Sequence, residues 1–118
     1  MRIARSLVLV LIPSLLAGAC TSINADFEEV NGRRYIVASV TKPADEFVVV
    51  SVVSREDESA ATVRRSRRRF AEAAQPRLVA ECRRKGGVPT TRGVIPGFVS
   101  QFVNDGPNTG WTFVRNCA

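Results

Sequence analysis

Cys20, Cys82 and Cys117 are the three thiols of a 118-residue chain that contains no histidine. A thiol can attack an electrophile, ligate a metal, pair in a disulfide or be acylated, and the surrounding sequence narrows that choice. Without histidine the commonest general base, the usual nucleophile–base triads and the usual metal ligand are missing. Cys82 and Cys117 are far apart, so they supply neither a zinc-ligand set nor a Cys-x-x-Cys redox motif. Gly86-Gly87 and Gly93 do not make a phosphate-cradling loop. The acidic residues cluster in polar stretches and turns, and nothing points to a catalytic carboxylate pair. The expectation is a protein without enzymatic activity, cofactor or metal.

Cys20 closes a distinctive N-terminal layout. Arg2 and Arg5 are followed by an almost wholly apolar run over residues 7–16, then by Ala17, Gly18 and Ala19. A basic opening, an apolar stretch and small residues are the layout of a secretory signal peptide, here residues 1–19. The apolar run is about half of the roughly 20 residues a spanning helix needs. Ala17-x-Ala19 suits cleavage after position 19 by an ordinary signal peptidase. The segment Leu16-Ala17-Gly18-Ala19-Cys20, with Leu15 before it, also resembles the lipobox of bacterial lipoproteins, although Ala17 stands where that family most often has Leu. The resemblance implies that Cys20 becomes the first mature residue and carries a diacylglyceryl group, often with an amide-linked fatty acid such as palmitate. Two or more chains anchor stably where one does so only marginally. Thr21, rather than Asp, follows the cysteine, which by the same resemblance places the protein on the periplasmic face of the outer membrane. Lipid on Cys20 would leave Cys82 and Cys117 as a matched pair for a disulfide in an oxidising compartment. The alternative is a soluble periplasmic or secreted protein whose Cys20 is free or bonded to another chain.

The second chemical feature is the run Arg64-Arg65-Ser66-Arg67-Arg68-Arg69. Residues 20–58 carry four basic and eight acidic side chains, whereas residues 59–85 carry nine basic and two acidic ones. The guanidinium fork matches phosphate and carboxylate oxygens. Arg64, Arg65, Arg68 and Arg69 are therefore candidates for binding anions: phospholipid heads, lipopolysaccharide or peptidoglycan carboxylates in an envelope. Export makes a nucleic-acid partner improbable despite the basic balance. The competing reading is a solvated helix face, partly paired with Glu58 and Glu72.

These residues need elements to position them. Residues 20–32 are polar and acidic and read as a lipidated flexible tether ahead of a single domain over 33–118. Residues 33–40 and 46–54 are rich in β-branched side chains and flank a Pro-containing turn, which predicts an antiparallel hairpin. The near-continuous apolar run of the second strand suits a strand covered on both faces, or on one face plus a partner. Ser54 and Asp57 have the spacing of a capping box. Residues 60–85 are helix formers with Val63, Phe70, Ala74 and Leu78 on one stripe, Arg67 snorkelling at its edge, and a kink or break at Pro76. Gly86-Gly87 stops the helix, residues 88–97 form a loop with room for a short extended piece, and residues 98–103 and 111–117 read as two further strands around a turn. The fold class is α+β: ββαββ order, a four-stranded antiparallel sheet and one long helix packed on it. Trp111, Phe113, Phe98 and Phe102 are expected in the core beneath that helix. The segment from Phe70 to Cys117, a helix ending Cys82-x-x-x-Gly86 followed by an aromatic strand with a terminal Cys, loosely resembles small envelope lipoproteins of no assigned activity.

The functional expectation is a lipid-anchored, non-enzymatic envelope protein with a binding or structural role. Its partners would be the membrane, an anionic lipid, lipopolysaccharide or peptidoglycan, or another envelope protein. A periplasmic inhibitor or sensor module that binds a protein partner is the alternative.

Overall fold

The computed structural model describes residues 22–42 and 44–118, so the leader, Cys20 and Thr21 lie outside the described residues. The chain folds as a small α+β unit built on one antiparallel sheet. Strands β1 (Ser22–Val30), β2 (Arg33–Thr41) and β3 (Phe47–Ser54) run consecutively. Helices α1 (Ala60–Arg64) and α2 (Arg67–Arg84) follow, then β4 (Pro89–Thr90), β5 (Ser100–Asp105) and β6 (Asn108–Cys117). The sheet order is β1-β2-β3-β6-β4, and β5 also pairs with β6. Both β4 and β5 lie along the edge of β6 that β3 leaves free.

This corrects the four-stranded ββαββ expectation in two ways. The polar stretch expected to be a flexible tether is strand from Ser22 onward, paired residue by residue with β2 from Ser22–Thr41 to Val30–Arg33. The turn between them is Asn31-Gly32, both at positive φ (54° and 81°), as a two-residue hairpin loop requires. The acidic residues Asp26 and Glu28 alternate with Phe27, and Arg77 of α2 pairs with both of them. A strand whose polar side is neutralised by a helix looks like a tether by composition alone. The second addition to the sheet is β4, a short extended piece within the 88–97 loop, which pairs with β6.

The helical segment breaks, but at Arg65–Ser66 rather than at Pro76, which sits exposed inside a continuous α2. The side chain of Ser66 donates to the Thr62 carbonyl across 2.7 Å, and Trp111 Nε1 donates to the Val63 carbonyl across 2.9 Å. Side chains thus take the carbonyls that a continuing helix would use, and the helix restarts at Arg67. The N-cap of α1 is Ser59, whose hydroxyl accepts from Thr62 N, and not the Ser54–Asp57 pair. Gly86, at φ 83°, ends α2 with its N–H donating to the Arg83 carbonyl and that of Gly87 to Cys82.

Val63, Phe70, Ala74 and Leu78 are all buried against one face of the sheet, where they meet Tyr35, Val37, Val48, Val50, Val52 and Phe113. Arg67, expected at the edge of this stripe, is exposed. Tyr35 and Phe70 meet edge to face at 5.3 Å. Of the aromatic residues expected in the core, Phe113 is fully buried, and Phe102 and Trp111 pack edge to face at its margin. Phe98 is half exposed at 49%, because it lies in a 3-10 turn (Pro96–Phe98) at the sheet margin rather than in a strand. Cys82 of α2 and Cys117 of β6 form a disulfide with Cα atoms 5.2 Å apart, tying the helix to the last strand.

Candidate functional site

The Arg run does not act as one patch. Arg69 lies in the first turn of α2 on the side facing β2. There it donates to Glu58 across 2.6 Å and to the Tyr35 hydroxyl across 2.8 Å. Burial disfavours the charged Arg69, but the bonds to Glu58 and Tyr35 outweigh it and hold its pKa above the ordinary value. Ser54 and Arg33 complete the surroundings of Glu58. Arg69 therefore staples the hairpin β2–β3 to α2, with both terminal nitrogens of its guanidinium bonded inside the protein.

Arg64, Arg65, Arg67 and Arg68 are exposed at the junction of α1 and α2. Arg64 lies over the ring of Phe102 at 5.5 Å. Arg68 has a distant ion pair with Glu72 at 3.8 Å, both well exposed, which contributes little. Close by, Arg115 of β6 donates to the carbonyls of Val99 and Val114. Its burial, with the charge of Arg67, pulls its pKa below the ordinary value. The arrangement can hold anionic oxygens at several guanidinium groups above an aromatic base.

A second polar centre lies at the other end of α2 and escaped the sequence reading. Glu81 is 2% exposed and accepts from the hydroxyls of Ser39 (3.0 Å) and Thr41 (3.2 Å), with Arg84 at 3.3 Å. Arg77 donates to Ser39 Oγ and to the Asn24 carbonyl. Glu81 stands three residues after Leu78, on the apolar stripe, and an acid in that place is the signal that marks such a centre. A cleft of about 480 Å³ opens beside it, lined by Thr41, Glu46, Glu81, Arg84, Lys85 and Cys117. Both carboxylate oxygens of Glu81 are engaged by the protein, so the side chain joins α2 to β2. Among the described residues no group of three or more acidic, cysteine or histidine side chains could hold a metal ion. Among them, too, no helix is long and apolar enough to cross a membrane.

The ends of the molecule differ in kind. Ser22 pairs with Thr41, and Lys85 at the end of α2 donates to the carbonyls of Lys42 and Asp45 in the adjoining turn. The start of β1 and the C-terminal end of α2 therefore share one corner. The exposed arginines lie at the N-terminal end of α2, which spans 18 residues or about 27 Å. No protein family, no characterised protein and no solved structure matches this chain.

Proposed function

We propose that the chain is an exported bacterial envelope lipoprotein, acylated on Cys20, that binds an anionic envelope component without catalysis. Arg64, Arg65 and Arg68 carry that contact. The observation that supports it is the separation between the start of β1 and the exposed arginines. Cys20 precedes Ser22 by two residues, a reach of about 7 Å, so β1 leaves almost no tether between lipid and domain. The arginines stand about one helix length away from that corner, so an anchor at Cys20 would hold them apart from the point of attachment. A carboxylate-bearing polymer such as peptidoglycan, lying off the membrane surface, fits this geometry better than the protein's own lipid heads.

The test uses the full chain in fractionated cells and isolated cell-wall sacculi. Cys20→Ala is expected to release the protein from membranes, and retention would overturn the anchor. The triple variant R64Q/R65Q/R68Q is expected to lose co-sedimentation with sacculi while keeping its melting midpoint. Unchanged sedimentation would overturn the contact. Arg69 is left intact because its role is internal.

A further inference from the structure

The sheet has two apolar faces and one helical layer. On the face away from the helices, Phe27 lies opposite Ile36, Val40 opposite Val49, and Val49 opposite Val114. This joins β1, β2, β3 and β6 in one apolar surface. Ser51 and Thr112, the polar residues at its middle, face each other and share a hydrogen bond of 2.8 Å. Charges appear at the end nearer the hairpin turn, where Arg34 binds Glu56 and Arg55 stacks on Phe27 at 4.7 Å. At the strand spacing and rise of a sheet, the face measures roughly 20 by 20 Å, about 400 Å². That falls within the roughly 300–600 Å² of the largest apolar patch on a typical monomer, a patch that is often functional, and is short of the roughly 800 Å² per partner of a specific protein interface.

We infer that this face rests on the acyl surface of the bilayer that holds Cys20, with the helical layer turned outward. The inference rests on the lipid anchor proposed above. Its occupant follows from where the chain outside the structure ends: Cys20 is two residues from the corner at which β1, the border strand of this face, begins. The most exposed large apolar side chains of the face, Phe27 at 73%, Phe47 at 41% and Val40 at 40%, lie on β1, β2 and β3, the anchored half. Lys42 follows β2 at the same corner, where an ammonium group reaches the head groups. Every strand backbone beneath the face is paired within the sheet except at its edges, so contact with hydrocarbon orphans few polar groups. In this pose the helices and the exposed arginines face away from the membrane.

The acylated full chain, purified from membranes, is reconstituted into phosphatidylethanolamine–phosphatidylglycerol vesicles with acyl chains brominated to quench tryptophan. Phe47→Trp is placed in a Trp111→Phe background. Residue 47 lies on the open face, whereas Trp111 lies on the helix face with its indole bonded to α1. The tryptophan at 47 is expected to lose most of its emission, and Trp111 of the unaltered chain to keep nearly all of its own. Adding Val40→Glu is expected to restore emission at 47 while the protein still floats with the vesicles. Where Trp111→Phe does not fold, Phe47→Trp beside the native Trp111 gives the same reading as quenching gained over the unaltered chain. Vesicle-bound protein with no quenching at 47 overturns the inference and leaves the anchor standing. Failure of the unaltered chain to float overturns the anchor and the inference together. A crosslinked species of twice the protomer mass through residue 47 assigns the face to a second copy and also overturns it.

Discussion

Arg69 and Glu58 join across 2.6 Å at the point where the first turn of α2 meets the end of the β2–β3 hairpin. Burial on its own would raise the Glu58 carboxyl. Hydrogen bonds from Ser54 and Arg69, with the charges of Arg69 and Arg33, hold it below its ordinary 4.5. A carboxyl lowered on folding contributes stability that is complete above its unfolded value and drains away as pH falls through the folded one. The melting midpoint is therefore expected to be flat through neutral pH and to fall as pH drops through about 4.5, the value at which the unfolded carboxyl is half protonated, and on through the lower folded value. Glu58→Gln should cost about 1.5–3 kcal/mol at pH 7, the range for hydrogen bonds to charged groups, and should make the acid limb shallower. Thermal melts from pH 7 to pH 3 on both proteins check this. An acid limb of unchanged slope would show that Glu58 is not its source. Glu56 is also lowered, chiefly by the Arg34 backbone N–H, and contributes to what remains of that limb.

The Cys82–Cys117 bond closes a loop of 35 residues. The chain-entropy model assigns such a loop about 3.8 kcal/mol, a large share of the stability of a domain this small. The variant C82A/C117A, which leaves no free thiol in the domain, is expected to melt about 15–30 °C lower than the oxidised protein. Dithiothreitol should lower the midpoint of the unaltered chain and leave that of the variant in place. A midpoint indifferent to the reductant would mean that the bond adds nothing to the folded state.

What the sequence revealed depended on whether side chains alone carried the signal. The stripe Val63, Phe70, Ala74 and Leu78 was readable because burial repeats with the helical period, and all four are in the core. The hairpin 33–54 was readable from its Val-rich strands. The suggestion of a second covering on the apolar run of β3 has a counterpart in the open face that Val49 and Val53 present. β1 was not readable by composition, because among the described residues Asp26 and Glu28 are matched by Arg77, some fifty residues away. Its local signal was Asn31-Gly32, a hairpin dipeptide whose first flank looked too polar for a strand. The break between α1 and α2 was missed for a similar reason. Pro76 is the stronger local breaker, yet Trp111, remote in sequence, takes the Val63 carbonyl and ends the helix earlier. Within the Arg run nothing local separates Arg69 from Arg68. Only the position of Tyr35 and Glu58 across the interface does so.

Glu81 and Glu72 are both acids on α2, and the structure sets them far apart in consequence. Glu81 is buried with Ser39, Thr41 and Arg84 around it, whereas Glu72 is exposed beside Arg68. Removing Glu81 leaves two hydroxyls and a guanidinium without their acceptor. Glu81→Ala should therefore cost about 3 kcal/mol, and Glu81→Gln, which keeps one acceptor oxygen, clearly less. Glu72→Ala should change stability by no more than about 0.5 kcal/mol. Urea denaturation of the three variants checks this. Equal losses at 72 and 81 would show that the buried network adds no stability beyond an exposed helix pair.

Gly110 of β6 lies against the backbone of β3 so closely that a Cβ placed on it would meet the Val52 carbonyl oxygen at 1.8 Å. The obstacle is main chain in the middle of the sheet, so it cannot turn aside as a flexible side chain would. An added methyl group must push β3 and β6 apart where they pair, next to the Val52–Trp111 pair beneath the helices. Overpacking of this kind costs about 1–3 kcal/mol and more where the backbone itself must move, so Gly110→Ala should fall at or above the upper end. Gly97, in the 3-10 turn, has nothing within 4 Å of its would-be Cβ. Gly97→Ala is expected to be neutral, or to stabilise by about 0.4–1 kcal/mol through a less flexible unfolded chain. Melting midpoints of the two variants, measured side by side in the oxidised protein, decide the point. If Gly110→Ala melts with the unaltered chain, β3 and β6 do not approach each other as closely as their register requires.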